Sequence, residues 1–340
     1  NRILHTMILN KTYLITLLLT LLFFLIESLY FRIANHFNII DRPNHRSSHS
    51  NITIRGGGIL FPLAILLYYP FADQSVYSRF CLGLLLVSVI SFWDDIHPVS
   101  NKIRLSIHAL ALSFLFYGFG FLNYPLWWVL LGYILVIGTI NAYNFMDGIN
   151  GITGLYSLSF LLSIGWLNNS NPFVDPYLLV SLLASTLVFL FFNFRKKAKC
   201  FAGDVGSVSM AFIICFLLIS LIKASHNLIY IGFLFVYGLD AITTIIFRLI
   251  RRENIFEAHR SHFYQFLVNE KKVSALLVSS VYAFVQLVIN ILLIREYKNT
   301  GENNLIPLIG ITMLFFGIFI WLRFLVEGRK TLCVARKASI

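Results

Sequence analysis

Long apolar runs separated by short polar segments make up almost the whole chain. An α-helix needs about 20 apolar residues to cross a bilayer, and eleven runs approach or exceed that length. None shows the alternation of a membrane β-barrel, and backbone groups in lipid must find their partners within a helix. The pattern predicts an all-α polytopic membrane protein with spans at residues 8–31, 57–71, 79–93, 105–122, 126–141, 152–167, 177–194, 207–223, 227–248, 273–294 and 305–326.

The composition agrees with this pattern. Of the 340 residues, 58% are hydrophobic and 12% are charged, and the mean hydropathy is +0.78. A soluble globular chain is roughly a quarter charged. Because no polar stretch exceeds about 25 residues, there is no room for a separate soluble domain. We therefore expect one integral-membrane domain over residues 1–340.

Positive charge divides the loops between two sides of the membrane. One side, with its flanks, carries 21 of the 27 Lys and Arg residues. Since cytoplasmic loops are enriched in Lys and Arg, this side is predicted to be cytoplasmic, with the N-terminus outside and the C-terminus inside. The net charge of +12 is then a topology signal that suits anionic lipid headgroups; nucleic acid is not an expected partner. The loops on this side are 32–56, 94–104, 142–151, 195–206, 249–272 and the tail after 326.

The cysteines and the N-terminus add little chemistry. The four cysteines have no paired spacing, so neither a disulfide framework nor a zinc site is predicted. Met7 heads the first apolar run, so residues 1–6 are either native or upstream sequence. That run is too long for a signal peptide and lacks a small-residue cleavage site, which predicts a retained span. The cysteines are Cys81, Cys200, Cys215 and Cys333.

Reactive side chains are concentrated in the loops of the basic side. Asp94 and Asp95 end an apolar run, and adjacent carboxylates repel each other unless a cation or a proton compensates. Mg²⁺ suits them because it binds one or two carboxylates and leaves positions for phosphate oxygens. The alternative is a solvated helix end. The pair, taken with the other loops, favours a metal site.

The segment G-D-V-G-S at 203–207 precedes another apolar run. Asp204 is either a metal ligand or a helix N-cap, for which Asp is a favoured residue. The free N–H groups of a helix N-terminus can also hold phosphate, and Gly206 and Ser207 fit that role.

Two further loops carry cationic or glycine-rich segments. His259, Arg260 and His262 suit phosphate oxygens, with a solvated basic loop as the alternative; their H-x-x-H spacing indicates zinc only weakly. Arg55 opens R-G-G-G, which resembles a phosphate-binding turn but lacks the ATP-binding pattern. Asp240 lies inside an apolar run and fits a partnered structural carboxylate as well as a site residue.

The loop at 142–151 is unusually polar. In N-A-Y-N-F-M-D-G-I-N-G, Asn141, Asn144, Asp147 and Asn150 recur at every third position. If the segment is helical, residues three apart drift only slowly around one face. We therefore expect these four residues to line one broad strip that faces a nucleotide diphosphate.

These residue types favour chemistry on phosphate at the cytoplasmic face. A transporter would instead require polar residues near mid-bilayer and broken helices, whereas the span centres are nearly free of charge. An inactive scaffold of a glycan assembly complex would be expected to lack Asp94, Asp95 or Asp204, and all three are present.

Four motifs occur in order between the predicted spans: D-D (94–95), N-x-x-N-x-x-D-G (141–148), G-D-V-G-S (203–207) and H-R-S-H (259–262). In these the chain resembles the polyprenyl-phosphate N-acetylhexosamine-1-phosphate transferases, and N-H-R-S-S-H…R-G-G-G resembles their O-antigen-initiating branch. The resemblance implies transfer of N-acetylhexosamine-1-phosphate from a UDP-sugar to undecaprenyl phosphate, with release of UMP. It further implies Mg²⁺ (with Mn²⁺ as an alternative), a bacterial cytoplasmic membrane with the active site facing the cytoplasm, and a homodimer.

The resemblance also implies roles for single residues. Asp204 and Asn144 would hold Mg²⁺, and Asp147 would act with them at the metal and phosphates. Asp94 would take a proton from the lipid phosphate or assist its attack, and Asp95 would support the metal and the phosphates. Whether transfer is direct or runs through a phospho-aspartyl intermediate stays open.

Other roles concern the sugar nucleotide. His259, Arg260 and His262 would bind its diphosphate and sugar, and Asn150 would contact uracil. Many bacterial members have Asp at that position and eukaryotic members have Asn, whose amide offers both a donor and an acceptor. The chain reads I-T-I-R-G-G-G at 52–58 where the family usually has P-T-P-R-G-G-G, which puts the local loop shape in doubt. The identity of the sugar stays open.

Overall fold

The computed structural model describes residues 2–42, 52–255, 259–300 and 305–334. Within these ranges it describes the side chains of all residues except 2–12, 74–76, 298–300 and 307. The predicted motif N-H-R-S-S-H at 44–49 lies outside the described residues.

Thirteen α-helices account for most of the described residues. They are α1 (Arg2–His36), α2 (Leu60–Tyr68), α3 (Gln74–Ile96), α4 (Asn101–Phe119), α5 (Leu126–Met146), α6 (Ile152–Ser170), α7 (Pro176–Asn193), α8 (Gly203–Ser225), α9 (Phe235–Ile250), α10 (Phe263–Asn269), α11 (Ala275–Thr300), α12 (Ile306–Glu327) and α13 (Arg329–Cys333). Two short strands, β1 (Ile40–Asp41) and β2 (Thr53–Ile54), pair antiparallel.

Seven helical stretches within the described ranges are long and apolar enough to cross a membrane. The prediction of an all-α, multi-pass membrane protein is therefore confirmed. Every predicted window coincides with helical structure, including those at 79–93, 105–122 and 152–167, which lie in α3, α4 and α6. The seven stretches are Tyr13–His36, Leu126–Met146, Pro176–Asn193, Gly203–Ser225, Leu228–Ile250, Ala275–Tyr297 and Leu308–Glu327.

Helix α8 lies at the centre of the bundle. It packs against α2, α3, α5 and α6, and 83% of its apolar window is buried. The windows of α1 and α12 are only 17% and 6% buried, and their exposed apolar side chains suit contact with lipid. The N-terminus of α8 therefore lies among several neighbouring helices, which can bring their residues to it.

The loops contain structure that the sequence did not predict. The loop 249–272 includes α10, and the tail after 326 includes α13. The predicted span 227–248 begins with a 3₁₀ segment, Leu228–Leu234, before α9. The short helices and the β1–β2 pair span too few residues for a repeating hydrophobic pattern to reveal them.

Candidate active site

The R-G-G-G segment runs alongside the start of α8. Gly57 N–H donates to Phe201 O at 2.8 Å, and Gly58 N–H donates to Ala202 O at 3.0 Å. Phe201 N–H in turn donates to Ile54 O at 2.8 Å. Because backbone bonds join the two segments, the arginine that opens the first is held beside the aspartate that begins the second.

This close approach requires glycine on both sides. A Cβ on Gly206 would lie 2.6 Å from Gly58 Cα, and one on Gly58 would collide with Gly206 Cα. Ser207 is fully buried and donates its hydroxyl to Asn144 Oδ1 at 2.8 Å. The structure thus brings Gly206 and Ser207 to the site but engages them in contacts within the protein; their binding of phosphate stays a prediction.

Asp95, and not Asp204, caps α8. The helix begins at Gly203 with Ala202 as its N-cap residue. Asp95 accepts the N–H groups of Asp204 at 2.8 Å and of Val205 at 2.9 Å. The alternative of Asp204 as the N-cap is therefore wrong, because the capping carboxylate comes from α3 across the bundle. The Asp204 carboxylate is left to other partners.

Two arginines neutralise the carboxylates at this helix end. Arg55 Nε lies 2.7 Å from Asp95 Oδ1, and Arg55 Nη2 lies 3.3 Å from Asp204 Oδ1. Arg104 Nη1 lies 2.5 Å from Asp94 Oδ2 and 3.1 Å from Asp204 Oδ2. Each oxygen of Asp204 therefore faces a different guanidinium. We call these five residues, Arg55, Asp94, Asp95, Arg104 and Asp204, the aspartate–arginine cluster.

The two adjacent aspartates differ in their affinity for protons. Burial disfavours the charged form of Asp94, but the hydrogen bonds that its carboxylate accepts from the protonated form of Asp204, from Val99 N–H and from Arg104 outweigh burial and hold the pKa of Asp94 below its usual value. Burial of Asp95 raises its pKa to about 6 against the attraction of Arg55. Both groups are therefore largely ionised at neutral pH, and Asp94 is a weak proton acceptor.

The polar stretch at 141–151 does not form one helical strip. Helix α5 ends at Met146, and Asp147 follows it with φ −79° and ψ 59°. The hydroxyl of Tyr264 donates to Phe145 O at 2.8 Å, which occupies a carbonyl of the last helical turn. The predicted strip is therefore wrong in its continuity: Asn141 and Asn144 lie on α5, whereas Asp147 and Asn150 lie in the turn that follows.

Asn144 and Asp147 nevertheless both remain near the aspartate–arginine cluster. The Ser207 hydroxyl that bonds Asn144 follows Asp204 by three residues on α8. Thr153 donates to Asp147 Oδ1 at 2.7 Å. Burial raises the pKa of Asp147 to about 7, and a nearby carboxylate adds to the rise. Without a bound metal ion, Asp147 is therefore partly protonated at neutral pH.

Asn150 connects the turn to the basic segment after α7. Its Nδ2 donates to Arg195 O at 2.7 Å, and its own carbonyl accepts the hydroxyl of Ser279 at 2.8 Å. Next to it, Gly151 N–H donates to Asn193 Oδ1 at 2.7 Å. The Asn150 amide thus has a partner within the chain, and its contact with uracil stays a prediction.

Asp240 has a structural role. Its carboxylate accepts the N–H groups of Phe263 at 3.0 Å and of Tyr264 at 3.3 Å, and the hydroxyl of Tyr282 at 2.7 Å. These bonds fix the start of α10 against α9 and α11. Of the two roles that the sequence left open, the structure favours the partnered carboxylate.

The two histidines lie together beside the end of α5. His262 Nδ1 lies 3.3 Å from Asp240 Oδ1, and the His259 and His262 rings lie 5.0 Å apart, both next to Phe145. Burial lowers the pKa of His259 to about 3, so its ring is neutral. His259 Nδ1 and His262 Nε2 are buried without a hydrogen-bond partner among the described residues, and such nitrogens suit a bound ligand.

Arg260 lies apart from these histidines. Its Nη2 is 3.2 Å from Glu270 Oε1, and it lines a groove of about 720 Å³ together with Lys330 and Val334 of the C-terminal segment. These contacts do not join Arg260 to the aspartate–arginine cluster, and its binding of diphosphate stays a prediction.

The oxygen atoms around the start of α8 suit a hard divalent cation. Asp204 and Asp147 offer carboxylates, and Asn144 offers an amide oxygen. Among the described residues, no three His, Cys, Asp or Glu side chains are grouped closely enough to hold a metal ion. This donor set fits Mg²⁺, which commonly binds through one or two carboxylates and completes its shell with water and substrate phosphates.

The sequence reasoning missed Arg104. Arg104 contacts two of the predicted aspartates, although it lies ten positions after the first of them, in the first turn of α4. One feature of the sequence could have identified Arg104 as a site residue: it is the one arginine in the loop 94–104, which also carries Asp94 and Asp95. Thr153 and Tyr264 were also missed, because their contacts depend on the packing of α6 and α10 against the end of α5.

The chain is similar to known proteins over the part that carries most of these motifs. The profile of glycosyl transferase family 4 matches residues 77–222, which include three of the four motifs. A probable undecaprenyl-phosphate N-acetylglucosaminyl 1-phosphate transferase of Bacillus subtilis (strain 168) is 28% identical over 260 residues, covering 70% of this chain and 72% of that protein.

Two further relatives extend the match. The undecaprenyl-phosphate alpha-N-acetylglucosaminyl 1-phosphate transferase of Escherichia coli (strain K12) is 27% identical over 271 residues, 70% of this chain and 71% of that protein. The phospho-N-acetylmuramoyl-pentapeptide-transferase of Thermotoga neapolitana is 26% identical over 253 residues, 67% of this chain and 82% of that protein. The order of the motifs, the meeting of three of them around α8 and these matches together support a relationship to the polyprenyl-phosphate N-acetylhexosamine-1-phosphate transferases.

Proposed function

We propose that the protein transfers N-acetylhexosamine-1-phosphate from a UDP-sugar to undecaprenyl phosphate and releases UMP. The observation that carries the proposal is the meeting of Asp94, Asp95, Asp204 and Asn144 at one end of α8. These residues come from α3, α5 and α8, which the family match spans. The activities named for the relatives point to the same reaction.

Magnesium is the proposed cofactor, with Mn²⁺ as an alternative. Asp204 and Asn144 would hold the ion, and Asp147 would join them once the cation lowers its proton affinity. When bound, the ion would neutralise charge on the diphosphate and on the leaving UMP. The residue types support this assignment because carboxylate and amide oxygens are the ligands that Mg²⁺ prefers.

The reaction exchanges one P–O bond for another. An oxygen of the lipid phosphate attacks the β-phosphorus of the UDP-sugar, and the bond to the bridging oxygen breaks as UMP leaves. A phosphate monoester is largely dianionic at neutral pH, and Asp94 has a pKa held below its usual value. We therefore assign Asp94 to holding the cluster in place and not to general-base catalysis.

The remaining residues bind and orient the sugar nucleotide. The unpartnered nitrogens of His259 and His262 lie beside the end of α5, where imidazole nitrogens can form hydrogen bonds with sugar hydroxyl groups or phosphate oxygens. Asn150 is the proposed uracil contact. Fixing both substrates in line would supply much of the rate enhancement.

The proposed setting is a bacterial cytoplasmic membrane, with eleven spans and the active site facing the cytoplasm. The excess of Lys and Arg on the loops that carry the site residues supports this orientation. The product would begin a lipid-linked glycan such as O-antigen or a related polysaccharide. A homodimer is the proposed assembly.

An assay of UMP release tests the function. Purified protein is incubated with undecaprenyl phosphate, Mg²⁺ and, in turn, UDP-linked GlcNAc, GalNAc, FucNAc and QuiNAc. We expect UMP only when lipid and an accepted sugar are both present, and none from the Asp204→Asn variant, which loses the proposed metal charge. If no sugar yields UMP while an active relative does so in the same assay, the proposal is overturned.

A further inference from the structure

The aspartate–arginine cluster holds more negative than positive charge. Three carboxylates face two guanidinium groups, so the cluster carries a net charge of about −1 when all are ionised. A divalent cation would reverse that sign and make the cluster attractive to a diphosphate. The arginines therefore occupy carboxylate oxygens that a metal ion would need, in positions from which they could also reach phosphate.

Arg104 makes unequal contacts with its two aspartates. Nη1 lies 2.5 Å from Asp94 Oδ2 but 3.1 Å from Asp204 Oδ2. Asp94 is itself fixed, because its other oxygen accepts Val99 N–H at 2.5 Å. Arg104 Nε has no hydrogen-bond partner among the described residues. The guanidinium is thus anchored at one aspartate, loosely joined to the other, and still has donors to offer.

We propose that Arg104 is an exchangeable counter-ion: it holds Asp204 until the divalent cation binds there, then turns about its Asp94 contact and binds the substrate diphosphate. Arg55 is anchored at Asp95 at 2.7 Å and faces the other oxygen of Asp204 at 3.3 Å; it acts in the same way to a smaller extent, because its contact with Asp204 is longer than the 3.1 Å contact of Arg104. The diphosphate half of this inference rests on the proposed function; the metal half does not.

Physical chemistry supports such an exchange. A divalent cation and a guanidinium that compete for one carboxylate repel each other by about 2–8 kcal/mol at 4 Å, for effective dielectric constants between those of water and of a protein surface. Metal binding therefore weakens the Arg104–Asp204 contact while leaving the Asp94 contact in place. A guanidinium has five N–H donors in a planar fork that matches phosphate oxygens, so the released face can bind a diphosphate without losing its anchor.

If this exchange occurs, removing the Arg104 guanidinium should change the affinities for the metal ion and for diphosphate in opposite directions. Removing the guanidinium should tighten the binding of the metal alone, because its competitor is gone. The same change should weaken the binding of diphosphate in the presence of metal. An arginine that only supports the fold would, when removed, weaken both.

Calorimetric titration separates the two effects. Wild type, Arg104→Gln and Arg104→Lys are titrated with Mg²⁺ alone, then with inorganic pyrophosphate and UDP-GlcNAc at saturating Mg²⁺. For Arg104→Gln we expect Mg²⁺ to bind about five- to tenfold more tightly and pyrophosphate at least about tenfold more weakly. Arg104→Lys, a point charge without the fork, should bind Mg²⁺ nearly as wild type does but pyrophosphate more weakly.

Lys102→Gln is the matched control. Lys102 is exposed in the same turn of α4, so its removal takes one positive charge from the same region without touching an aspartate of the cluster. It should change neither affinity by more than about twofold at physiological salt. Melting curves in EDTA identify any variant that fails to fold. If Arg104→Gln does not fold, the inference is tested by Arg104→Lys, which should bind pyrophosphate more weakly than wild type while binding Mg²⁺ nearly as tightly.

Three outcomes would overturn the inference: weaker Mg²⁺ binding by a folded Arg104→Gln variant, unchanged pyrophosphate binding, or equal effects in Lys102→Gln. Failure of the proposed function would look different. In that case Mg²⁺ would still bind more tightly to Arg104→Gln, but no UDP-sugar would yield UMP with wild type.

Discussion

Asp94 and Asp95 are neighbours in sequence, but a helix sends successive side chains about 100° apart. Asp95 faces the backbone of α8 and Arg55, whereas Asp94 faces the loop before α4 and Arg104. The sequence predicted both as carboxylates for a metal. It could not separate their tasks, because these depend on which element packs against each face of α3.

The capping role of Asp95 leads to a prediction about stability. An asparagine offers one acceptor oxygen where the carboxylate offers two, so Asp95→Asn would leave a backbone N–H of α8 unpaired and weaken the contact with Arg55. We expect a loss of about 2–3 kcal/mol in the free energy of unfolding, measured by thermal or denaturant unfolding in detergent. Asp94→Asn, which loses no bond to α8 backbone, should cost less. A Asp95→Asn variant as stable as wild type would contradict the capping role.

The raised pKa of Asp147 leads to a prediction about pH. Because its pKa of about 7 in the folded protein lies above the unfolded value of about 3.9, the folded state favours the protonated group. Its contribution is therefore fully present below about pH 4 and is lost progressively as the pH rises from about 4 to about 7. In EDTA, Asp147→Asn should be more stable than wild type at pH 8.5, by about 2 kcal/mol after allowing for partial exposure.

The same measurement contains its own control. At about pH 3, below the unfolded-state pKa of about 3.9, the wild-type carboxyl is mostly protonated in both the folded and the unfolded state, so the two proteins should unfold at nearly the same temperature. A stability difference that stays constant from that pH to pH 8.5 would mean that Asp147 does not titrate as described.

At the scale of elements, the site depends on where helices end and how closely their ends approach. The spacing of polar residues at 141–151 suggested a continuous helix, but Tyr264 from α10 binds the last turn of α5 and Gly148 fits beneath its ring. A local pattern does not contain such a tertiary contact. Sequence reasoning therefore found the residues of this stretch and missed the break between them.

The approach of the R-G-G-G segment to α8 gives a prediction at this scale. Gly58→Ala would place a methyl group against Gly206 Cα, so the two backbones must separate. We expect a loss of about 2–4 kcal/mol in unfolding free energy. Thermal or denaturant unfolding in detergent measures this loss.

Gly138→Ala is the matched control for that substitution. No atom lies within 4 Å of a Cβ built on Gly138 in α5, and alanine favours a helix interior over glycine by up to about 1 kcal/mol. Gly138→Ala should thus be neutral or slightly stabilising. If Gly58→Ala behaves in the same way, the glycine contact does not hold the segment in place.

At the scale of the whole molecule, the hydrophobic pattern was the most informative part of the sequence. Each predicted window coincides with helical structure, because the length and polarity of a span are fixed by the bilayer and need no tertiary information. The arrangement around the site does depend on tertiary information. The ion pair of Arg104 with Asp204, the capping of α8 by Asp95 and the hydrogen bond from Phe263 N–H to Asp240 all join elements that are far apart in sequence.

The number and direction of the spans can be tested by labelling single cysteines. Helix α4 separates Ser100 from Asn123, and α7 separates Asn171 from Lys197; all four residues are exposed or nearly so at the ends of their helices. In a background in which the native cysteines are replaced by serine, a membrane-impermeant maleimide is applied to spheroplasts before and after permeabilisation. If both helices cross the membrane, the members of each pair lie on opposite sides.

We expect Asn123→Cys and Asn171→Cys to react in intact spheroplasts, and Ser100→Cys and Lys197→Cys to react only after permeabilisation, since the excess of Lys and Arg predicts that the basic loops face the cytoplasm. Helix α7 is among the seven stretches that are apolar and long enough to span, so its pair calibrates the assay. Helix α4 is not among them, so the labelling of Ser100→Cys and Asn123→Cys decides whether α4 crosses the membrane. Labelling of Ser100→Cys and Asn123→Cys from the same side would remove α4 from the spans and reverse the predicted side of every segment after it relative to the loop 94–104.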